Sequence, residues 1–67
     1  MNLAKAKRIA KSYLKKELEA FDFKDITAFR RNVGSWTVEG QYNKPESRWL
    51  RFVLYIDNGK VSFCTVH

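Results

Sequence analysis

A cysteine and a histidine stand close together at the end of the sequence, as Cys64-Thr65-Val66-His67. A thiol beside an imidazole is the side-chain pair of nucleophilic cysteine catalysis. The surrounding segment has the pattern of a β-strand, however, and residues three apart on a strand point to opposite faces. His67 is also the terminal residue, which we expect to be mobile. The spacing therefore predicts that Cys64 and His67 do not form a catalytic dyad.

The other residue types that carry chemistry are too few or too scattered to build a site. One His and one Cys cannot complete the four ligands of a zinc site. The glycines are isolated from one another, so the phosphate-binding G-x-G and Walker patterns are missing. The acidic residues fall at predicted turns, on the helix and on a solvent-type strand face, and do not converge on a cleft. We expect a non-enzymatic protein with no cofactor, no metal and no small-molecule substrate.

The composition is that of a small, basic, folded chain. Its 67 residues are 45% hydrophobic and 15% aromatic, which is too rich for disorder, and the length predicts one domain over residues 1–67. The net charge of +6 favours contact with nucleic acid or another anionic surface. No apolar run is long enough to span a membrane, and no secretory signal follows the basic N-terminus. Because a lone cysteine is typical of a reducing compartment, we expect a complete cytoplasmic protein.

The first part of the chain predicts a helix from Asn2 to about Ala20. Asn2 is a good N-cap residue, and the residues after it are strong helix formers with no Gly or Pro. At about 100° per residue, one side of this helix is apolar and should lie on a sheet: Leu3, Ala6, Ile9, Ala10, Tyr13, Leu14, Leu18 and Phe21. Glu17 projects to the same side, which we attribute to the last turn of the helix. The opposite side is basic, and we interpret it as a solvated surface: Lys5, Arg8, Lys11, Lys15 and Lys16.

Extended segments with turn residues between them follow the helix. The predicted strands are 25–31, 35–42, 48–57 and 61–67. Asn58-Gly59 in a two-residue loop fits a type I′ hairpin turn, and the short connections make each strand an antiparallel neighbour of the next. The weak alternation of the first strand and the shortness of the last predict that both are edges. The sequence thus predicts an α+β fold, with one N-terminal helix packed on a four-stranded antiparallel β-meander.

The second predicted strand alternates cleanly between apolar and polar residues. Trp36, Val38 and Tyr42 share one face, which should lie under the helix. Gly40 falls on the same face, where the missing side chain permits a bulge or a close approach of the helix.

Two segments of this pattern follow each other in a familiar order: Trp36-Thr37-Val38-Glu39-Gly40 and then Tyr55-Ile56-Asp57-Asn58-Gly59-Lys60-Val61. This order of elements resembles that of the PepSY-like domains and of the gas-vesicle accessory protein O: a helix, a W-x-V-E segment, and a hydrophobic-x-Asp-x-Gly-x-hydrophobic segment. Both are helix-on-antiparallel-sheet modules with a cystatin-like appearance. The similarity covers about the last two thirds of the chain. It implies a non-catalytic binding, inhibitory or assembly module, and it supplies no catalytic residues.

The third strand has two different faces. One is purely apolar and is assigned to the core: Leu50, Phe52, Leu54 and Ile56. The other mixes aromatic residues with a cation: Trp49, Arg51, Val53 and Tyr55. The expected neighbours on this second face are Thr37, Glu39 and Gln41 of the second strand and, depending on register, Ser62, Cys64 and Val66 of the last. Because one helix covers only one face of the sheet, the second face is the candidate binding surface.

Three interpretations of this second face remain open. Its side chains can pack on one another or on the chain's own termini and expose little. Alternatively, the face binds a protein partner or a second copy of the chain, since exposed aromatic residues beside Arg are typical of interfaces and symmetric dimers are the commonest oligomers. The third is nucleic-acid binding, with Trp49 or Tyr55 stacking on bases. The candidate anion contacts are Arg30, Arg31, Arg48 and Arg51, with Lys11 and Lys15 of the helix. Because the basic helix should lie on the far side of the sheet, we rank protein association first and nucleic acid second.

Overall fold

One helix precedes four strands in the fold. The computed structural model describes all 67 residues. Its elements are α1 (Leu3–Leu18), β1 (Asp22–Asn32), β2 (Ser35–Asn43), β3 (Leu50–Asp57) and β4 (Lys60–Val66). The strands form one antiparallel sheet in the order β1-β2-β3-β4, so β1 and β4 are its edges. This arrangement confirms the predicted α+β meander.

The ends of α1 are fixed by local hydrogen bonding and backbone geometry. The Asn2 side-chain oxygen accepts a hydrogen bond from the backbone N–H of Lys5 at 2.9 Å, which confirms Asn2 as the N-cap. Glu19 adopts a left-handed conformation with φ 58° and ends the helix. No helix in the structure combines the length and the apolar character that crossing a bilayer requires.

The core lies between α1 and one face of the sheet. The helix buries small residues and one leucine against it: Ala6, Ala10 and Leu14. The sheet contributes Trp36, Val38, Tyr42, Phe52, Leu54 and Ile56, as predicted. Two residues assigned to the helix stripe lie outside this core, because Leu3 is 47% exposed and Phe21, beyond the end of the helix, is 69% exposed. Glu17 is exposed as well and takes no part in the core.

A bulge in β1 explains why β2 has a glycine at position 40. Lys24 pairs with Gln41 and Thr27 with Glu39, so two residues of β1 stand opposite Gly40 alone. A Cβ atom on Gly40 would lie 2.6 Å from Cδ1 of Ile26, the second of these residues. The close approach at Gly40 therefore comes from β1 and not from the helix.

A second bulge lies where β4 leaves the tight turn. Asn58 and Gly59 both have positive φ, of 53° and 82°, as the type I′ turn requires. Ile56 then pairs with Val61, and Tyr55 pairs with Phe63, so Ser62 is an extra residue. One extra residue exchanges the two faces of a strand.

The exchange decides which β4 side chains share the core face. Cys64 pairs with Leu54, and Val66 pairs with Phe52, so both lie on the helix side of the sheet. The expectation that Ser62, Cys64 and Val66 share the second face depended on register, and the observed register places Cys64 and Val66 on the core face instead.

The last residue of the chain is held by the sheet. The backbone N–H of His67 donates to the carbonyl of Arg51 at 2.9 Å, and the N–H of Arg51 donates to the carbonyl of His67 at 3.3 Å. The prediction that His67 is mobile was therefore wrong.

Candidate functional site

The sheet face opposite α1, here called the open face, carries a row of aromatic residues. Phe29 pairs with Thr37, Thr37 with Tyr55, and Tyr55 with Phe63, so these residues form one line across all four strands. Phe29 and Phe63 stand on the two edge strands, and each is 49% exposed. We call this line the aromatic row. It gives the open face its apolar surface.

The aromatic row is packed internally. The rings of Tyr55 and Phe63 lie 5.1 Å apart between centroids, with an interplanar angle of 35°. Thr37 is only 4% exposed although no helix covers this face. Its two cross-strand neighbours in the row are Phe29 and Tyr55. The Tyr55 and Phe63 rings of the row therefore pack on each other within one chain.

Charged and hydroxyl groups fix one side of Tyr55. The guanidinium of Arg31 lies 4.1 Å from the centre of the Tyr55 ring and forms a 3.3 Å salt bridge with Asp57. Asp57 also accepts hydrogen bonds from the hydroxyls of Ser35 and Ser62. These two hydrogen bonds and the charge of Arg31 lower the pKa of the Asp57 carboxyl. Asp57 thus anchors Arg31 over the ring.

The other end of the open face is polar and carries both signs of charge. A shallow cavity of about 230 Å³ lies there. Its charged and amide residues include Asp25, Glu39, Gln41 and Arg51, with His67 at the edge. The Gln41 amide donates to Asp25 at 3.2 Å. Ligand pockets usually exceed about 300 Å³ and are mostly apolar, so this end is better suited to polar contacts at the margin of an interface.

The four residues predicted for the second face differ in exposure. Arg51 is exposed, while Val53 and Tyr55 are half-buried among their neighbours. Trp49 lies just before β3 and is also half-buried, with the Lys24 ammonium 4.4 Å from its ring centre. Its alternation with Arg51 places it on the open face, at the far end from Tyr55.

The exposed aromatic surface of the open face belongs to Phe29 and Phe63, which the sequence analysis did not identify as candidates. Both were hidden by bulges, since the insertion in β1 masks its alternation and Ser62 shifts β4. The hairpin turn was visible in the sequence, but the extra residue after it has no equally clear pattern.

The candidate anion contacts do not form one platform. Arg30 pairs with Trp36 and so belongs to the helix side of the sheet, whereas Arg31 is bound to Asp57 on the open face. Arg48 is exposed in the loop before β3. The helix contacts lie elsewhere: the ammonium groups of Lys11 and Lys15 are 5.7 and 5.9 Å from the ring centre of Phe23.

The cysteine and the histidine lie on different sides of the sheet. Cys64 packs against the core and is half-buried, and this burial raises the pKa of its thiol. His67 follows β4 and pairs with Arg51. The prediction that they form no dyad is consistent with this geometry.

A comparison of the chain with protein families, curated proteins and solved structures finds no match. The resemblance to the PepSY-like domains and the gas-vesicle accessory protein O therefore stays a prediction.

Proposed function

We propose that this chain is a small non-catalytic association module that binds a second copy of itself through the open face. The observation that carries the proposal is the aromatic row, whose two end residues, Phe29 and Phe63, are half exposed on a face without a covering element. Aromatic residues are enriched at protein interfaces because they bury a large apolar area. The rings of Tyr55 and Phe63, which already pack on each other, also lose little side-chain freedom on binding.

The size of the open face suits a dimer. The extents of the whole chain, 38 and 19 Å, set an upper bound of roughly 700 Å² on the area of the open face, which is near the about 800 Å² that each partner buries in a standard interface. A chain of this length buries only about 60% of its unfolded surface when alone. Pairing would therefore add apolar burial that a short chain lacks.

The charges of the open face favour pairing with an identical surface. Arg51 and Glu39 both lie near its polar end, and Arg31 is neutralised by Asp57. A face with both signs of charge is not repelled by its own copy, and a two-fold axis brings each group near the equivalent of its neighbours. A nucleic-acid function through this face has less support, because the acids oppose phosphate and Arg31 is already paired.

Sedimentation at increasing protein concentration tests the proposal. We expect a reversible dimer for the natural chain and a dimerisation constant weakened at least about tenfold by Phe63→Ser, the loss expected for a buried interface aromatic. Phe21→Ser is the matched control: the same change at a more exposed phenylalanine (69%) that precedes β1 and lies outside the aromatic row. It should leave the dimer unchanged. A natural chain that stays monomeric at millimolar concentration, or equal effects of both substitutions, would contradict the proposal.

A further inference from the structure

The whole net charge of the protein resides in its first 16 residues. This segment contains six Lys or Arg residues and no Asp or Glu, whereas residues 17–67 contain seven of each sign. The six are Lys5, Lys7, Arg8, Lys11, Lys15 and Lys16. The net charge of +6 is therefore a local property of α1 and its N-terminus.

The cations share the outer side of α1. At about 100° per residue, all but Lys7 fall within an arc of about 140° opposite the buried Ala6, Ala10 and Leu14. From Lys5 to Lys16 they extend over about 16 Å of helix axis. The molecule's one salt bridge joins Arg31 to Asp57, so none of the helix cations is neutralised by an acid.

Part of this arrangement opposes the stability of the helix itself, although Lys15 and Lys16 in the last turn suit the negative end of the helix dipole. The first turn contains no acidic residue, although the positive end of the helix dipole favours one there. Lys7, Lys11 and Lys15 follow one another at i, i+4 spacing, where like charges repel. A surface serving only solubility would not need this placement, and conflicts between local rules are typical of functional positions.

We propose that the outer side of α1 binds the phosphate backbone of double-stranded nucleic acid without reading its sequence. A duplex carries one negative charge per about 1.7 Å of its axis, so a 16 Å row of cations meets several phosphates. No residue of the outer arc is aromatic. The nearby Tyr13 and Phe23 both pack against the core, and the Phe23 ring is already contacted by Lys11 and Lys15. The surface therefore binds phosphates and does not stack bases.

The same geometry disfavours a membrane surface as the ligand. Amphipathic helices bind membranes by inserting their apolar side among the lipids. The apolar side of α1 is already packed on the sheet, with Ala6, Ala10 and Leu14 fully buried. Apart from Leu3 in the first turn, which is 47% exposed, only the cationic side is available to a ligand.

Binding to short duplex DNA, measured by fluorescence anisotropy at several salt concentrations, tests the proposal. With five phosphates contacted, the logarithm of the affinity should fall with the logarithm of salt concentration with a slope of about −4 to −5. Lys5→Glu/Arg8→Glu should weaken binding at least about tenfold at low salt and reduce this slope by about 2. Lys44→Glu/Arg48→Glu removes the same charge from an exposed loop, and it should change affinity by no more than about threefold.

Thermal melting separates a binding effect from unfolding. The helix variant places acids near the N-terminus of α1, so its Tm should equal or exceed that of the natural chain while its affinity falls. Phe63→Ser should bind duplex DNA with natural affinity per chain, which separates this inference from pairing through the open face. Equal losses in the helix and loop variants would overturn the proposal, as would salt-insensitive binding. Tighter binding to phosphatidylserine vesicles than to duplex DNA would assign the surface to membranes instead.

Discussion

Tyr55 and Phe63 face each other across β3 and β4, with ring centroids 5.1 Å apart, although a plain two-residue hairpin would place Ser62 opposite Tyr55. Directly opposed aromatic residues on a sheet stabilise it beyond the area they bury. A double-mutant cycle with Tyr55→Ala and Phe63→Ala should therefore give a coupling free energy of about 0.5–1.5 kcal/mol. Urea unfolding at concentrations where the chain is monomeric measures it. Additive losses would show that the rings are neighbours without interacting.

Gly40→Ala should destabilise the fold by about 1–3 kcal/mol, because the added methyl group overpacks the bulge of β1. Its Cβ atom would lie 2.6 Å from the Ile26 side chain and 3.0 Å from the carbonyl oxygen of Asp25. Adding Ile26→Val removes the first contact and leaves the second, so it should restore only part of the loss. Full restoration would mean that the backbone of β1 moves freely. Differences in the urea midpoint report all three stabilities.

The acid sensitivity of the fold should depend on Asp57. The pKa of its carboxyl is lower in the folded chain than in the unfolded chain, mainly through hydrogen bonds from Ser35 and Ser62. The ionised carboxylate therefore stabilises the fold above the unfolded pKa of about 4, and this stabilisation is lost as the pH falls through the folded pKa. We expect Asp57→Asn to be less stable than the natural chain at pH 7, with the difference shrinking on acidification. A difference that does not vary with pH would contradict this expectation. Unfolding free energies from pH 7 downward provide the measurement.

The two tryptophans should differ in their contribution to stability. Trp36 lies under the helix and is 8% exposed, so Trp36→Ala should cost about 3–5 kcal/mol. Trp49 is half-buried beneath the Lys24 ammonium, and its replacement should cost about 1 kcal/mol or less. Chemical denaturation of the two variants measures both losses of stability. A loss of stability larger for Trp49→Ala than for Trp36→Ala would place the Trp49 ring in the core.

Most of the fold could be predicted from residue pattern, because helix periodicity, the alternation in β2 and the Asn58-Gly59 turn each act locally. The two faces of β3 were assigned correctly, because successive side chains of a strand point to opposite faces. The exposed ends of the aromatic row could not be predicted, because each depends on an insertion in an edge strand. The bulge at Asp25 and Ile26 depends on its fit to Gly40 across the sheet, and such a fit between strands leaves no periodic pattern in either strand.

The helix and the open face lie on opposite sides of a single sheet, which limits what a pair of chains can hold. Two sheets stacked through their open faces would be about 10 Å apart, with a helix of about 10 Å diameter outside each. The two basic sides would then point away from each other across roughly 30 Å. One straight duplex cannot contact both basic sides at once. Such a pair would cross-link separate nucleic-acid segments and gather them into bundles, while the monomer would only coat them.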